Sequence, residues 1–223
     1  MIWQKLLMAG GGGIEFVGRA DAGSGITTAA PRTIDLTNLY GGSDTQVREG
    51  DLVFIAVSDT DTSSTGWTVE HTASYFTILS KVMGPTPDTS YIMTDAVPKV
   101  GLAMVFRAAA TSPVYADSSS DSGNGTGDAL CSFNPVTVTS GEITLAFGYI
   151  NKNWTGSSFH FTGAPGSDYF TYTHGRGSSS YKEMALCAAL YYDKSGSFTP
   201  ANLTHDDRTS YVWRTFLCTI APK

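Results

Sequence analysis

Two glycine-led apolar runs dominate the pattern of hydrophobic and polar positions along the chain. The first, Gly50–Ser58, is a turn followed by an almost unbroken series of β-branched, aliphatic and aromatic residues. The second and weaker run is Gly141–Ile150. Because a continuous apolar run of this length between turn residues is typical of a strand buried on both faces, we interpret both as central strands.

Each run is embedded in a similar series of segments. A short strand-like segment precedes it, a polar loop follows it, and an apolar strand ends the half. This series predicts an all-β chain folded as an antiparallel, jelly-roll-like β-sandwich, with the two runs as its paired central strands. Its pseudo-repeated halves span about 31–110 and 132–222. The flanking strands are Thr33–Leu36, Gly101–Ala108, Phe133–Val138 and Tyr211–Ile220.

Two further segments lack a clear pattern for a strand. Glu183–Leu190 has good helical propensity, but we predict a strand there because it holds the position that Phe76–Val82 holds in the first half. Ala116–Gly127 is low in complexity and polar, with no core residue. We interpret it as a flexible surface connection rather than a domain boundary.

Residues 1–30 differ in composition from the rest of the chain. An apolar cluster is followed by the glycines Gly10–Gly13 and then by alternating apolar residues. The segment either packs back as an edge strand or forms an extended N-terminal attachment arm. We predict the arm, because exposed apolar groups are costly unless a partner covers them. The candidate assembly residues are Ile2, Trp3, Leu6, Leu7, Met8, Ile14 and Phe16.

Composition narrows the class of protein. A chain of 223 residues is long enough for one large β domain, here 31–223. The net charge of -6 without a basic block argues against nucleic-acid binding, and no segment has the length of a membrane span or the pattern of a secretory signal. Cys131, Cys187 and Cys218 form no disulfide framework, so we expect small buried hydrophobic residues and assembly in a reducing cytoplasm.

The chemistry-bearing motifs give no convincing catalytic, metal or cofactor site. Asp59–Glu70 has oxygen-bearing residues at calcium-loop spacing but lacks the glycine that such a loop needs at its sixth position, so a polar loop is preferred. His205–Arg208 is interpreted as a solvated turn. Glu70, Glu142 and Glu183 are available as paired acids, but nothing singles them out. We therefore expect a protein that is not an enzyme.

Aromatic residues near small polar side chains suggest a different activity. Such rings can stack on sugars while neighbouring polar groups bind sugar hydroxyls, although ordinary packing explains any single residue as well. Trp67 belongs to this set. The candidate glycan-binding residues are Trp154, Tyr169, Tyr172, His174 and Tyr181.

Several short motifs resemble β-sandwich proteins encoded among bacteriophage virion genes, over about residues 31–222. The resemblance implies a tail-fibre, spike or capsid-decoration component without known catalytic residues. It is carried by Glu49–Val53, Gly66–Thr68, Leu79–Val82, Ala103–Arg107, Pro135–Val138 and Gly141–Thr144.

From the resemblance and the N-terminal segment we expect a non-enzymatic virion protein, assembled in the host cytoplasm. A tail-fibre or tail-tip position is favoured over a capsid decoration or head fibre. The expected partners are other virion proteins and further copies of this chain, with a trimer favoured. A carbohydrate-binding receptor-recognition module is the alternative, and a polysaccharide hydrolase ranks last.

Overall fold

The computed structural model describes part of the chain, and every structural statement below refers to that part. In this part all the regular secondary structure is β, in antiparallel pairs. The expectation of an all-β chain is therefore confirmed. The described residues are 13–22, 32–58, 65–73, 76–93, 100–109, 117–125, 129–153, 161–162, 168–174, 182–205 and 211–223.

In the residues that the structure describes, the first half of the chain contains seven strands. Five of them form a sheet in the order β1-β7-β3-β5-β4, and the other two pair as β2-β6. The strands are β1 (Glu15–Ala22), β2 (Arg32–Asp35), β3 (Leu52–Val57), β4 (Thr68–Ala73), β5 (Phe76–Val82), β6 (Ser90–Met93) and β7 (Gly101–Arg107).

The described residues of the second half contain ten strands. Five form a sheet in the order β13-β14-β11-β17-β8, and smaller sheets are β10-β15 and β12-β16-β9. The strands are β8 (Asp117–Gly125), β9 (Ala129–Cys131), β10 (Val136–Val138), β11 (Ile143–Asn153), β12 (Phe161–Thr162), β13 (Asp168–His174), β14 (Lys182–Tyr191), β15 (Gly196–Phe198), β16 (Leu203–His205) and β17 (Tyr211–Ile220).

The two halves have the same strand connectivity. Read from its β8 edge, the second large sheet repeats the first strand by strand, with β8, β17, β11, β14 and β13 in the places of β1, β7, β3, β5 and β4. The small pairs β2-β6 and β10-β15 also correspond. Both glycine-led runs are the middle strand of their own sheet, so each is central as predicted, but they are not hydrogen-bonded to each other.

This equivalence corrects the interpretation of the serine-rich segment. We expected a flexible connection at Ala116–Gly127, whereas Asp117–Gly125 is β8 and pairs along its length with β17. The pairing uses backbone groups, so an edge strand next to a long apolar partner needs no apolar side chain of its own. β8 thus occupies in the second half the place that β1 occupies in the first.

Three hydrophobic clusters lie on the faces of the two large sheets. One is shared, with Phe54, Phe76 and Met104 from the first sheet and Phe147 and Phe216 from the second. The other two belong to one half each, between the large sheet and the short strands of that half. The alternating residues of each central strand therefore supply two clusters, which explains why these strands are apolar on both faces.

The same turn starts both central strands. Gly50 and Gly141 have φ of 79° and 93°, as the third position of a type II turn requires. The N–H of the next residue donates to the carbonyl three residues back, from Asp51 to Arg48 and from Glu142 to Thr139, each at 3.1 Å. In the opposite direction, the Asp51 carboxylate accepts a hydrogen bond from the Arg48 N–H at 2.8 Å, and the Glu142 carboxylate accepts one from the Thr139 N–H at 2.9 Å.

Candidate functional site

The described part of the predicted N-terminal arm belongs to the chain's own core. Ile14 and Phe16 are only 3% and 2% exposed and lie in the shared cluster. The ring of Phe16 is 5.8 Å from that of Phe106 on β7. Assigning these two side chains to a partner was therefore wrong, because β1 pairs with β7 and packs back as an edge strand. The other assembly residues, Ile2, Trp3, Leu6, Leu7 and Met8, lie outside the described residues.

A cluster of charged side chains fixes the start of β1. The Arg107 guanidinium at the end of β7 binds Asp51 through two hydrogen bonds, Nε to Oδ1 and Nη2 to Oδ2, both 2.9 Å. Its Nη1 lies 3.3 Å from Asp44 Oδ2 and 3.8 Å from Glu15 Oε2. Arg48 pairs with Asp44 at 2.7 Å. We call these five residues the Arg107 cluster.

The electrostatics of the Arg107 cluster favour its charged state. The hydrogen bonds and charge of Asp51 raise the pKa of Arg107 against the opposing effect of burial. The pKa of Asp44 is lowered, first by the Thr45 N–H and then by the two arginines. Asp51 is 1% exposed, and a buried carboxylate needs such a partner. The cluster therefore joins β1, β7 and the turn before β3.

The sequence contains a signal for this cluster. Asp51 directly precedes the apolar run of β3, and Arg107 directly follows that of β7. The register that pairs Leu52 with Phe106 brings both charges to the same end of the sheet. A charged residue that adjoins a buried strand is a candidate for such a pair, because burial of an unpaired charge is costly.

A second polar group lies beside the shared cluster. The ring of His71 on β4 is 5.9 Å from those of Phe76 on β5 and Phe216 on β17. Its Nε2 is buried without a hydrogen-bond partner in the described structure. Burial, followed by the positive charge of Arg214, lowers the pKa of His71. The neutral imidazole thus acts as an aromatic packing element between the two large sheets.

The acidic motifs of the sequence are placed as follows. Glu70 accepts a hydrogen bond from the Ser80 hydroxyl, whereas residues 59–64 of the calcium-like motif lie outside the described residues. His205 ends β16, and the rest of its motif, 206–208, also lies outside them. Among the residues that the structure describes, no three His, Cys, Asp or Glu residues are grouped so that they could hold a metal ion.

The candidate glycan-binding residues are only partly described. Trp154 and Tyr181 lie outside the described residues. Tyr169, Tyr172 and His174 lie on β13, the edge strand of the second large sheet, at the positions opposite Ala189, Leu186 and Met184. Of the wider aromatic set, Trp67 packs edge-on against buried Tyr91, with ring centroids 5.3 Å apart.

The cysteines are packing residues, as predicted. Cys131, Cys187 and Cys218 are all buried and free. Burial raises the pKa of the Cys131 thiol to about 12 and that of Cys218 well above its usual value. Neither thiol has the lowered pKa that a reactive cysteine needs.

In the part of the chain that the structure describes, no helix is long and apolar enough to cross a membrane. No protein-family model, curated protein or solved structure matches the chain.

Proposed function

We propose that the chain is a non-enzymatic virion structural protein of a bacteriophage, a tail-fibre or tail-tip component that assembles through residues 1–9. The motifs behind the resemblance lie at the start of β3, β4 and β11, in β5 and β7, and at β10. They are strand and turn segments, so they support a likeness in architecture to the virion proteins. The resemblance includes no catalytic residues.

The proposed architecture is a jelly-roll-like β-sandwich in each half. In the first half β1 pairs with β7 and β2 with β6. In the second half β8 pairs with β17 and β10 with β15. Nested pairing of first with last strands is the connectivity of a hairpin that has folded over on itself, as in jelly rolls. The two halves then pack through the shared cluster.

The packing of β1 against the core is the observation that carries the assembly proposal. Ile14 and Phe16 are buried in the shared cluster, and Glu15 faces Arg107. Residues 1–9 are therefore joined, through the glycines at 10–13, to a point of the sheet that is fixed by core packing and charge. A partner that binds Trp3 and Leu6 would hold the whole sheet, which suits a load-bearing virion component.

Light scattering after size-exclusion chromatography tests the attachment segment. Leu6→Asp puts a charge in the apolar cluster, and Gln4→Asp adds the same charge beside it as the matched control. We expect the mass to fall threefold for Leu6→Asp and to stay unchanged for Gln4→Asp. An unchanged mass for Leu6→Asp would count against assembly through this segment.

The position in the particle requires intact virions. Antibodies raised against the purified chain should label the tail end of particles in electron micrographs. Labelling over the head would favour the capsid decoration or head-fibre alternative. Particles without any label would remove the virion proposal. Assembly in the host cytoplasm is supported by the three free cysteines, since thiols persist in a reducing compartment.

A carbohydrate-binding module remains the second candidate because three of its candidate residues lie on one strand. Tyr169, Tyr172 and His174 share β13, and Trp154 and Tyr181 adjoin in sequence Asn153 and Lys182, which pair between β11 and β14. A glycan array with the wild type tests this function. Binding that Tyr172→Ala abolishes would support it, and a blank array with folded protein would remove it.

A further inference from the structure

The outer edge of β13 differs from the other outer edges of the two large sheets. β13 pairs with β14 over seven consecutive positions without a register shift. On its other side, no strand of the described chain pairs with it. An unpaired edge presents a row of N–H and C=O groups that can pair with another strand, and proteins usually protect such edges.

Two edges of the first sheet carry a visible protection. The outer edge of β1 is covered by 40–44: Arg19 and Tyr40 exchange backbone hydrogen bonds of 3.0 and 2.9 Å, and the Asp44 N–H donates to the Val17 carbonyl at 3.0 Å. β4, which holds in the first sheet the place of β13 in the second, has a register shift between Val69 and His71. Such a bulge disrupts the regular edge.

Composition protects β8, the opposite edge of the second sheet. Each of its nine residues is Asp, Ser, Gly or Asn, and these types have low strand propensity or weak packing. β13 reads Asp-Tyr-Phe-Thr-Tyr-Thr-His. It has no Pro, Gly or Lys and is rich in the aromatic and β-branched residues that favour strands.

The sequence of β13 is also complementary to itself in the antiparallel sense. When two copies pair about Thr171, Asp168 takes the position opposite His174 of the partner subunit, and Phe170 that opposite Tyr172 of the partner subunit. Tyr169 meets the position of a threonine, and Thr171 that of its own copy. Aromatic and threonine cross-strand pairs are stabilising types, and a carboxylate opposite an imidazole is a compatible polar pair.

We propose that β13 pairs with β13 of a second copy across a twofold axis. The second sheets of the two copies then form one continuous ten-stranded sheet. The interface is isologous, because the same strand is used on both sides, and backbone hydrogen bonding supplies it as in other cases of strand addition. It is separate from the attachment through residues 1–9, so failure of either leaves the other testable.

Sedimentation velocity on the full chain tests the pairing. Thr171→Lys puts two lysines opposite each other at the centre of the pair. Thr72→Lys is the matched control, since Thr72 on β4 pairs with Thr77 as Thr171 on β13 pairs with Cys187. We expect the mass of the assembly to halve for Thr171→Lys and to stay unchanged for Thr72→Lys. An unchanged mass for Thr171→Lys would overturn the proposal.

A charge exchange keeps the test valid if Thr171→Lys fails to fold. His174→Asp places two carboxylates opposite each other at both ends of the pair and should halve the mass. Adding Asp168→Lys places a lysine opposite each new carboxylate and should restore the wild-type mass. If the double variant stays at half mass while its circular dichroism matches that of the wild type, the self-pairing register is wrong.

Discussion

Phe76 of the first half and Tyr149 of the second stack with their ring centroids 5.5 Å apart and their planes within 9° of parallel. Phe76 begins β5, and Tyr149 lies in β11. Both are fully buried in the shared cluster. Stacked aromatic rings stabilise a fold by more than their buried area alone, so this pair links the two halves specifically. The common core that we predicted is formed by two separate sheets.

The Arg107 cluster predicts an unequal response to two arginine deletions. Arg107→Ala leaves the carboxylate of Asp51 buried without its partner and should lower the free energy of unfolding by about 3–5 kcal/mol. Arg48→Ala removes an ion pair whose arginine is 66% exposed and should cost about 1 kcal/mol or less. Urea unfolding measures both. Equal losses of stability for the two variants would contradict the pairing of buried Asp51 with Arg107.

The glycine turn at Gly50 predicts a cost that is conformational rather than steric. An added Cβ at Gly50 would meet only Lys223 Nζ at 3.6 Å, but a left-handed φ costs a residue with a side chain about 1–2 kcal/mol. Gly50→Ala should lower the free energy of unfolding by that amount, and Gly141→Ala, at a φ of 93°, by at least as much.

Gly84→Ala is the control for the glycine turns. A Cβ there meets nothing within 4 Å, and φ lies outside the left-handed range. The same urea titration should show no loss of stability, or a gain of up to about 1 kcal/mol. A Gly50→Ala variant as stable as Gly84→Ala would show that the turn does not need glycine.

His71 predicts a loss of stability in acid. Since its pKa is lowered from 6.5 in the folded chain, the unfolded chain binds this proton first as the pH falls. The stability that the neutral imidazole contributes is complete above about pH 6.5 and is lost as the pH falls through the lower folded-state pKa. His71→Phe removes this titration. The free energy of unfolding of the wild type minus that of the variant should fall from pH 7 downwards, and parallel pH profiles would contradict this.

The repeat also predicts a stabilising exchange. Thr144 and Thr219 are opposite each other in β11 and β17, with buried hydroxyls that have no hydrogen-bond partner in the described structure. The equivalent pair of the first half is Val53 and Val105. Because a buried unsatisfied hydroxyl costs about 1–3 kcal/mol, the double change Thr144→Val with Thr219→Val should raise the free energy of unfolding. A lower stability would mean that the hydroxyls are satisfied, for instance by water.

The strands that could be predicted from the sequence are those whose own apolar side chains are buried. The apolar runs at β3 and β11 were recognisable because both of their faces are buried. At β14, comparison of the halves correctly overrode helical propensity: Leu186–Leu190 are buried between two clusters, and tertiary packing outweighs a preference of a few tenths of a kcal/mol per residue.

The edge strand β8 and the Arg107 cluster were not predicted, for a physical reason. β8 is held by the backbone of an apolar neighbour, so its own serine-rich sequence carries little strand signal. The bond between Asp51 and Arg107 joins residues distant in sequence and depends on the register of β3 and β7. Single-sequence periodicity contains neither the pairing nor the register.

Residue-resolved amide hydrogen exchange tests the central claim, a core shared by the two halves, most directly. The amides of Leu52–Val57 and those of Ile143–Ile150 should open with the same free energy, equal to that of global unfolding. A first half that opens several kcal/mol below the second, or the reverse, would show two independently folded halves and would contradict the account.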